Sequence, residues 1–406
     1  GLGDVYKRQL YYHASRNHIS RWLYSRAIFP MAEALQPRQI TDLSEISEIR
    51  KLIFDAIVQY RKMKNRGVVA IFKRDRFDKY SNFARIGNGS LGGKGRGLAF
   101  IDAMIKRNPT FDNIEGVNVT VPKTVVLCTD IFDTFMESNN LYQIALSDIS
   151  DEEILEHFLK AKLPEELKPD FLAFFDVVGK PIAVRSSSLL EDSHYQPFAG
   201  IYSTYMIPSL DDKNEMLRLL LDAIKAVYAS VFYADSKAYM TATSNVIDQE
   251  KMAIILQEVV GTQYNDRYYP SFAGVGRSIN YYPINDEKAE DGVVDLAIGL
   301  GKYIVDGGRS LRFSPRHPNK VLQTSTLDLA LRDTQTRFYA LDMNRGEKPF
   351  SIDDGFNLLK LSVRDAEKDN SLRLMVSTYD PVDQMIRDGY YDGGRKVCLL
   401  YTSPSP

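Results

Sequence analysis

The chain has 406 residues, of which 44% are hydrophobic and 26% charged, and its mean hydropathy is −0.27. This length and composition are typical of a globular protein with two or three compact units, and they exclude a disordered chain or a small disulfide-stapled scaffold. The formal net charge of −2 gives no overall electrostatic reason to bind nucleic acid or an anionic membrane.

Cysteine usage and hydropathy predict a cytoplasmic protein. Cys128 and Cys398 are the two cysteines of the sequence, which is too few for a disulfide framework or a zinc site. No apolar run approaches the ~18–20 residues of a membrane span, and the first residues lack the order of a signal peptide. We therefore expect no membrane and no nucleic acid among the partners.

Both ends of the sequence differ from the rest. "GLGDVYKRQ" at residues 1–9 and "CLLYTSPSP" at 398–406 resemble translated sequencing-adapter tails. We expect both stretches to be non-native, and the natural protein to continue past them.

In chain order, residues 10–37 predict a helix broken at Pro30, and the apolar stripe from Ile46 to Met63 predicts an amphipathic helix. We assign residues 10–80 to a helical N-terminal extension that ends with a strand candidate at 67–74. A helical stripe is predicted from Leu98 to Ile105, ending near Arg107. Further helices are predicted near 130–140, 151–178 and 211–240, and further strands near 119–129, 180–187, 252–260, 271–282 and 292–301. Helices and strands alternate, so the predicted class is α/β or α+β.

A glycine-rich stretch, "IGNGSLGGKGRGLAF" at 86–100, opens a predicted helix. Glycine amides and a helix N-terminus favour phosphate as the ligand. The stretch fails as a Walker A loop because Asn88 and Gly95 stand where glycine and Ser or Thr are required. Its G-x-G-x-x-G match at 87–92 follows "YSNFAR", a poor buried strand, and no H-R-D or D-F-G accompanies it. A plain turn that caps the helix, with Lys94 solvated, remains open.

The second polar stretch is "PIAVRSSSLLEDSHYQPFAG" at 181–200. A strand that delivers Arg185 and three hydroxyls, followed by Glu191 and Asp192, is chemically suited to clamp a polyphosphate. A serine turn with a surface salt bridge explains the composition equally well.

Three stretches in order resemble the nucleotide-binding domain shared by phosphoenolpyruvate synthases and pyruvate phosphate dikinases. "GSLGGKGRGLAFI" is similar to the family's G-G-K-x-x-x-L loop, and "PIAVRSSSLLEDSHYQPFAGIYSTYM" to its V-R-S-S-x-x-x-E-D…F-A-G motif. "MAIILQEVVG…SFAGVGRSINYYP…VVDLAIGLGKYIVDGG" is similar to its Q-x-M-V…S-G-V-x-F-T…G-L-G-E-x-V-V-x-G region. The resemblance spans roughly residues 81–315.

The resemblance implies an α+β nucleotide-binding domain of the ATP-grasp type over residues 81–397, truncated at its C-terminal side. It implies that Lys94 contacts ATP phosphates, that Arg185 stabilises the transferring phosphoryl group, and that Gln257 and Glu258 lie at the hinge near adenine. The other residues that it places around ATP are Gly92, Gly93, Gly95, Ser186, Ser187, Glu191 and Asp192. Mg²⁺ would accompany ATP, and a phosphohistidine swivelling domain and an acceptor domain, by family default for pyruvate, would complete the enzyme. We expect the chain to be inactive without them.

The sequence departs from the family pattern at several points. Lys302 stands where the family has glutamate in G-L-G-E, and no acidic pair followed by Q-x-R-P occurs, so no metal ligand is assigned. None of the five histidines matches the phosphate-accepting loop, and His194 is the only one near the predicted site. Two alternatives stay open: a nucleotide-sensing or catalytically decayed homologue, and a Rossmann-type dinucleotide binder.

Overall fold

The computed structural model describes most of the chain. The described residues are 2–36, 46–64, 69–77, 81–108, 110–111, 114–188, 200–242, 250–344 and 350–398. They combine helices with mixed and antiparallel sheets, which confirms the α+β class.

Four helices form the predicted N-terminal extension. They are α1 (Leu2–Ser15), α2 (His18–Ser25), α3 (Phe29–Ala34) and α4 (Ile46–Lys64), and they contact one another. The prediction of a break at Pro30 is wrong, because Pro30 lies in the first turn of α3, where its missing N–H needs no partner. The chain turns instead at Asn17 and Ala27, whose φ angles are 56° and 57°. Residues 2–9, predicted as a tail, are part of α1.

A six-stranded sheet forms the centre of the first lobe. In spatial order its strands are β1 (Ala70–Ile71), β2 (Phe83–Ile86), β3 (Thr124–Leu127), β6 (Met252–Glu258), β4 (Ile182–Ser188) and β5 (Thr204–Ile207). The first three are parallel, and every later pairing is antiparallel. The stretch "YSNFAR", predicted to be a poor buried strand, therefore overlaps β2, in which Phe83 and Ala84 are buried.

Helices cover both faces of this sheet. They are α5 (Gly92–Arg107), α6 (Thr129–Ser138), α7 (Tyr142–Ala145), α8 (Asp151–Lys160), α9 (Lys168–Val178), α10 (Lys213–Ser230) and α11 (Ala234–Ala242). The main core joins one face to α6 and α8–α10 through buried aromatic and aliphatic side chains such as Phe132, Phe158 and Tyr228. On the other face, Leu98 and Ala99 of α5 pack against Val126 and Ile255.

Three small sheets form the second lobe. Its elements are β7 (Thr262–Tyr264), β8 (Arg267–Tyr269), β9 (Ala273–Arg277), β10 (Val293–Ala297), α12 (Lys302–Val305), β11 (Leu311–Phe313), α13 (Leu327–Asp333), β12 (Arg337–Asp342), β13 (Leu358–Ser362), α14 (Val363–Lys368), β14 (Ser377–Asp380), β15 (Met385–Arg387) and β16 (Arg395–Val397). The sheets have the orders β13-β12-β8-β7, β11-β10-β9 and β15-β14-β16.

Two contacts between the lobes stand out among the described residues. Ala183 of β4 shares an apolar cluster with Tyr268 and Leu341 of the second lobe. In addition, residues 350–357, which we call the strap, lie against the outer strand β5. Asp354 of the strap accepts a hydrogen bond from the Thr204 amide at 2.9 Å, and the Tyr205 hydroxyl donates to the Ile352 carbonyl at 3.0 Å.

Helix α5 begins against the backbone of β4. Gly92 has a φ of +69°, and a Cβ added there would lie 1.8 Å from the carbonyl oxygen of Ser187. The Ser187 hydroxyl accepts from the Gly95 amide at 2.9 Å and donates to the Leu91 carbonyl at 2.7 Å. Glycines are poor helix formers, so this contact with β4, and not intrinsic propensity, determines where α5 starts.

This contact gives a matched pair of substitutions. Gly92→Ala should lower the free energy of unfolding by about 2–4 kcal/mol, because it adds left-handed backbone strain to a clash with the β4 backbone. Gly97→Ala, in the same helix with open space around its Cα, should raise it by about 0.5–1 kcal/mol. Urea denaturation measures both. Equal effects of the two substitutions would contradict this account of the helix start.

Candidate functional site

Arg185 lies between helix α5 and the second lobe. Alternate residues of a strand share a face, so Ala183, Arg185 and Ser187 are on the same side of β4. Ala183 packs in the junction with the second lobe, and Ser187 contacts the start of α5. Arg185 lies between these two contacts along the strand and is half-buried. This face of β4 is the candidate site.

Hydrogen bonds from neighbouring strands orient Arg185. Its Nη1 donates to Oε1 of Gln257 at 3.0 Å, and Nε2 of Gln257 donates to Oγ1 of Thr124 at 3.0 Å. Gln257 and Thr124 are both buried, so each bond is shielded from competing water. Thr124 was not singled out from the sequence, where a threonine at a strand start carries no distinguishing pattern.

Lys94 contacts Ser186, which follows Arg185 in the sequence. Its Nζ donates to the buried Ser186 hydroxyl at 3.2 Å, and its side chain is partly accessible. Lys94 lies in the first turn of α5, whose position is fixed by the Gly92 and Ser187 contacts. The structure thus places the Lys94 ammonium on the residue adjacent in sequence to Arg185, although Lys94 and Arg185 are 91 positions apart in the chain.

The buried glycines Gly92, Gly93 and Gly95 form the first turn of α5. Their loop differs from the phosphate cradle that its composition predicted. The amides of Asn88 and Gly89 donate to the Asp130 carboxylate at 2.8 and 3.0 Å, and the amide of Ser90 donates to the Thr129 hydroxyl at 3.0 Å. These loop amides therefore already have acceptors within the protein.

Sequence reasoning missed Asp130 and Thr129. The signal available was "CTD" directly after strand β3, since an aspartate in the first turn of a helix is placed to accept backbone hydrogen bonds. Cys128, which precedes them, is buried, and burial raises the pKa of its thiol. The thiol is therefore held in its protonated, unreactive form at neutral pH.

The two predicted hinge residues, Gln257 and Glu258, make different contacts. The Gln257 side chain is committed to Arg185 and Thr124, whereas Glu258 at the end of β6 pairs with Lys180 at 2.6 Å. The backbone amides of Glu258 and Val259 donate to the carbonyls of Lys123 and Pro181. Glu191, Asp192 and His194 lie outside the described residues.

Lys302 has two carboxylate partners. Its Nζ lies 3.3 Å from Oδ1 of Asp306 and 3.5 Å from Oδ1 of Asp354 on the strap. Partial burial acts to lower the pKa of the Lys302 ammonium, but the two carboxylates outweigh it and raise the pKa above its usual value. The lysine that departs from the family motif thus pairs with the strap, whose Asp354 also accepts from Thr204 of the first lobe.

A three-ligand metal site is not formed among the described residues. No group of three His, Cys, Asp or Glu side chains in that part of the chain is placed to hold a metal ion. The carboxylates of Asp130, Glu258 and Asp354 face loop amides, Lys180 and Lys302, as described above. Mg²⁺ is commonly held by one or two carboxylates together with substrate phosphates, so a fit would require ligands beyond these three.

Comparison with known proteins agrees with the geometry. Residues 88–365, well over half of the chain, match the family described as pyruvate phosphate dikinase, AMP/ATP-binding domain. No helix of the described residues is long and apolar enough to cross a membrane. The two-lobed α+β architecture is the ATP-grasp-like nucleotide-binding fold of this family, as the resemblance predicted.

Two curated relatives match shorter stretches. An uncharacterized phosphotransferase of Bacillus subtilis, YvkC, is 27% identical over 190 residues, which cover 46% of this chain and 20% of that protein. A phosphoenolpyruvate synthase of Aeropyrum pernix is 30% identical over 127 residues, which cover 31% of this chain and 13% of that protein. The matched stretches thus span a fifth or less of these relatives. From the family match, this chain belongs to the pyruvate phosphate dikinase AMP/ATP-binding domain family.

Proposed function

We propose that this chain binds ATP with the phosphates on the face of β4 beside the start of α5, as the nucleotide-binding portion of a phosphotransferase. The observation that carries the proposal is the placement of Lys94 on Ser186, next to an Arg185 that Gln257 and Thr124 hold in position. Cations positioned at a phosphate site neutralise the charge that builds on a transferring phosphoryl group, which is the main protein contribution to such reactions.

The roles follow from these contacts. Arg185 is the planar donor for the transferring phosphoryl group, and Lys94 is the point charge for the neighbouring phosphates. Gly92, Gly93 and Gly95 allow α5 to approach β4, while Ser186 and Ser187 orient Lys94 and the helix start. Glu258 and the adjoining backbone border the position of adenine near the second lobe. Mg²⁺ would enter with the phosphates of ATP.

In the complete protein, phosphate would pass from ATP through a phosphohistidine domain to an acceptor, with pyruvate as the family default. The names of the two relatives, a phosphotransferase and a phosphoenolpyruvate synthase, support this class of reaction. A Rossmann-type dinucleotide binder is disfavoured. Although β2, the glycine loop, α5 and β3 form a parallel unit, the sheet continues with antiparallel strands and is not the doubly wound parallel sheet of those proteins.

Calorimetric titration of the 406-residue chain tests the nucleotide site. We expect ATP to bind, and Arg185→Ala and Lys94→Ala each to weaken it about 10–100-fold, because each removes a charge-assisted contact. Lys160→Ala, which removes an exposed lysine of α8 paired with Glu156, should leave the affinity unchanged. Unaltered ATP affinity in the folded Arg185 and Lys94 variants, or NAD binding insensitive to Arg185, would overturn the proposal.

Lys302 bears on the alternative of a decayed, regulatory homologue. We propose that the Lys302 ammonium stabilises the strap through Asp354, so Lys302→Glu should lower the free energy of unfolding by about 1 kcal/mol through repulsion from Asp306 and Asp354. The loss should shrink in an Asp354→Asn background, where the amide oxygen still accepts from the Thr204 amide. Denaturation of the four proteins of this cycle measures the coupling. Identical losses in both backgrounds would rule out the Lys302–Asp354 contact as the cause.

A further inference from the structure

The glycine loop is closed by a carboxylate of the protein itself. Oδ2 of Asp130 accepts from the Asn88 amide at 2.8 Å, and Oδ1 accepts from the Gly89 amide at 3.0 Å. Both oxygens of one carboxylate are thus used by consecutive amides, the arrangement in which glycine-rich loops hold a phosphate. Asp130 occupies the anion position of this loop.

Neighbouring contacts fix the same geometry. Asp130 is in the first turn of α6, where the helix N-terminus favours a negative charge. Thr129 makes a reciprocal pair with Ser90, since its amide donates to the Ser90 carbonyl and its hydroxyl accepts from the Ser90 amide, both at 3.0 Å. Gly87 has a φ of +94°, and a Cβ added there would lie 2.4 Å from Oδ1 of Asp130. The loop is therefore shaped around this carboxylate.

The loop leads directly into the helix that carries Lys94. Leu91, the residue after the paired Ser90, accepts a hydrogen bond from the Ser187 hydroxyl, and Gly92 then begins α5 against β4. The start of α5 is consequently anchored on two sides, by Asp130 and Thr129 before it and by Ser187 beside it. A displacement of the loop would displace Lys94 relative to Arg185.

We propose that Asp130 is a positioning residue of the phosphate site. Its carboxylate accepts hydrogen bonds from loop amides that a phosphate could otherwise use. It also fixes the position of the loop, so that Lys94 and Arg185, and not these amides, contact the phosphates. This inference rests on the proposed ATP site, but it assigns to that site a residue outside both motifs from which the site was predicted.

The test compares Asp130→Asn with Asp133→Asn in the 406-residue chain. Asn keeps one acceptor oxygen and turns an NH₂ group toward the second loop amide, so one of the two bonds is lost. Asp133 lies on the same helix and pairs with Lys251 at the surface, which makes it a matched control. Amide hydrogen exchange at residues 88–89 reports loop closure, and calorimetry reports the binding of ATP, tripolyphosphate and adenosine.

In Asp130→Asn we expect faster exchange at residues 88–89, an affinity for ATP and tripolyphosphate about 10-fold lower, and an unchanged affinity for adenosine. Asp133→Asn should match the wild type throughout. If Asp130→Asn fails to fold, Asp130→Glu, which retains both acceptor oxygens, should fold and keep phosphate affinity closer to wild type. A folded Asp130 variant that binds ATP as the wild type does, or that loses ATP and adenosine equally, would overturn the inference while leaving the ATP site intact. Absence of ATP binding by the wild type would instead overturn the proposed function, and the inference with it.

Discussion

The candidate site depends on the close approach of helix α5 to strand β4. Only a residue without Cβ can stand at position 92, where the helix meets the Ser187 carbonyl. Once the backbones are this close, the Ser187 hydroxyl can bridge the Leu91 carbonyl and the Gly95 amide. The position of Lys94 then follows from helix geometry, because it lies between those two bridged residues. One steric constraint therefore places a cation of one motif on Ser186, the residue that follows the arginine of the other.

Several carboxylates of the described residues are used by contacts within the fold. The Asp130 carboxylate is used by the loop, Glu258 by Lys180, and Asp354 by Lys302 and the Thr204 amide. Among their contacts, Lys94 and Arg185 have hydrogen bonds to the neutral groups of Ser186 and Gln257. These bonds hold the two side chains at β4, which is the placement that their proposed roles require.

Local patterns predicted most of the first lobe because its elements have strong periodicity or capping residues. Strand β6 falls within its predicted range, α4 and β4 each end one residue beyond theirs, and α5 ends where predicted but begins earlier, at Gly92. Strand β2 was missed because its four residues follow a polar stretch, and its burial depends on pairing with β3. The break at Pro30 was wrong because proline is compatible with a first helical turn.

The site shows where sequence patterns lose their predictive power. Motif spacing placed Lys94 and Arg185 in one site, but it could not show that Asp130 fills the glycine loop, since that contact joins residues 42 positions apart. Nor could it show that Gln257 orients Arg185, because the pairing depends on the register of β4 on β6. From the sequence, Lys302 indicated only that the family's carboxylate is missing. The fold shows that Asp306 and Asp354 lie beside the Lys302 ammonium. These contacts of Asp130 and Gln257, and the contact of Lys302 with Asp354, join residues that are distant in the sequence or depend on strand pairing, so local patterns do not predict them.

A crystal structure of the chain with a non-hydrolysable ATP analogue would test the central claim most directly. The account predicts phosphate oxygens within hydrogen-bonding distance of Lys94 Nζ and the Arg185 guanidinium, with the Asp130 carboxylate still bound to the loop amides. Phosphates seated on the amides of Asn88 and Gly89 with Asp130 displaced, or a nucleotide bound away from β4, would contradict it.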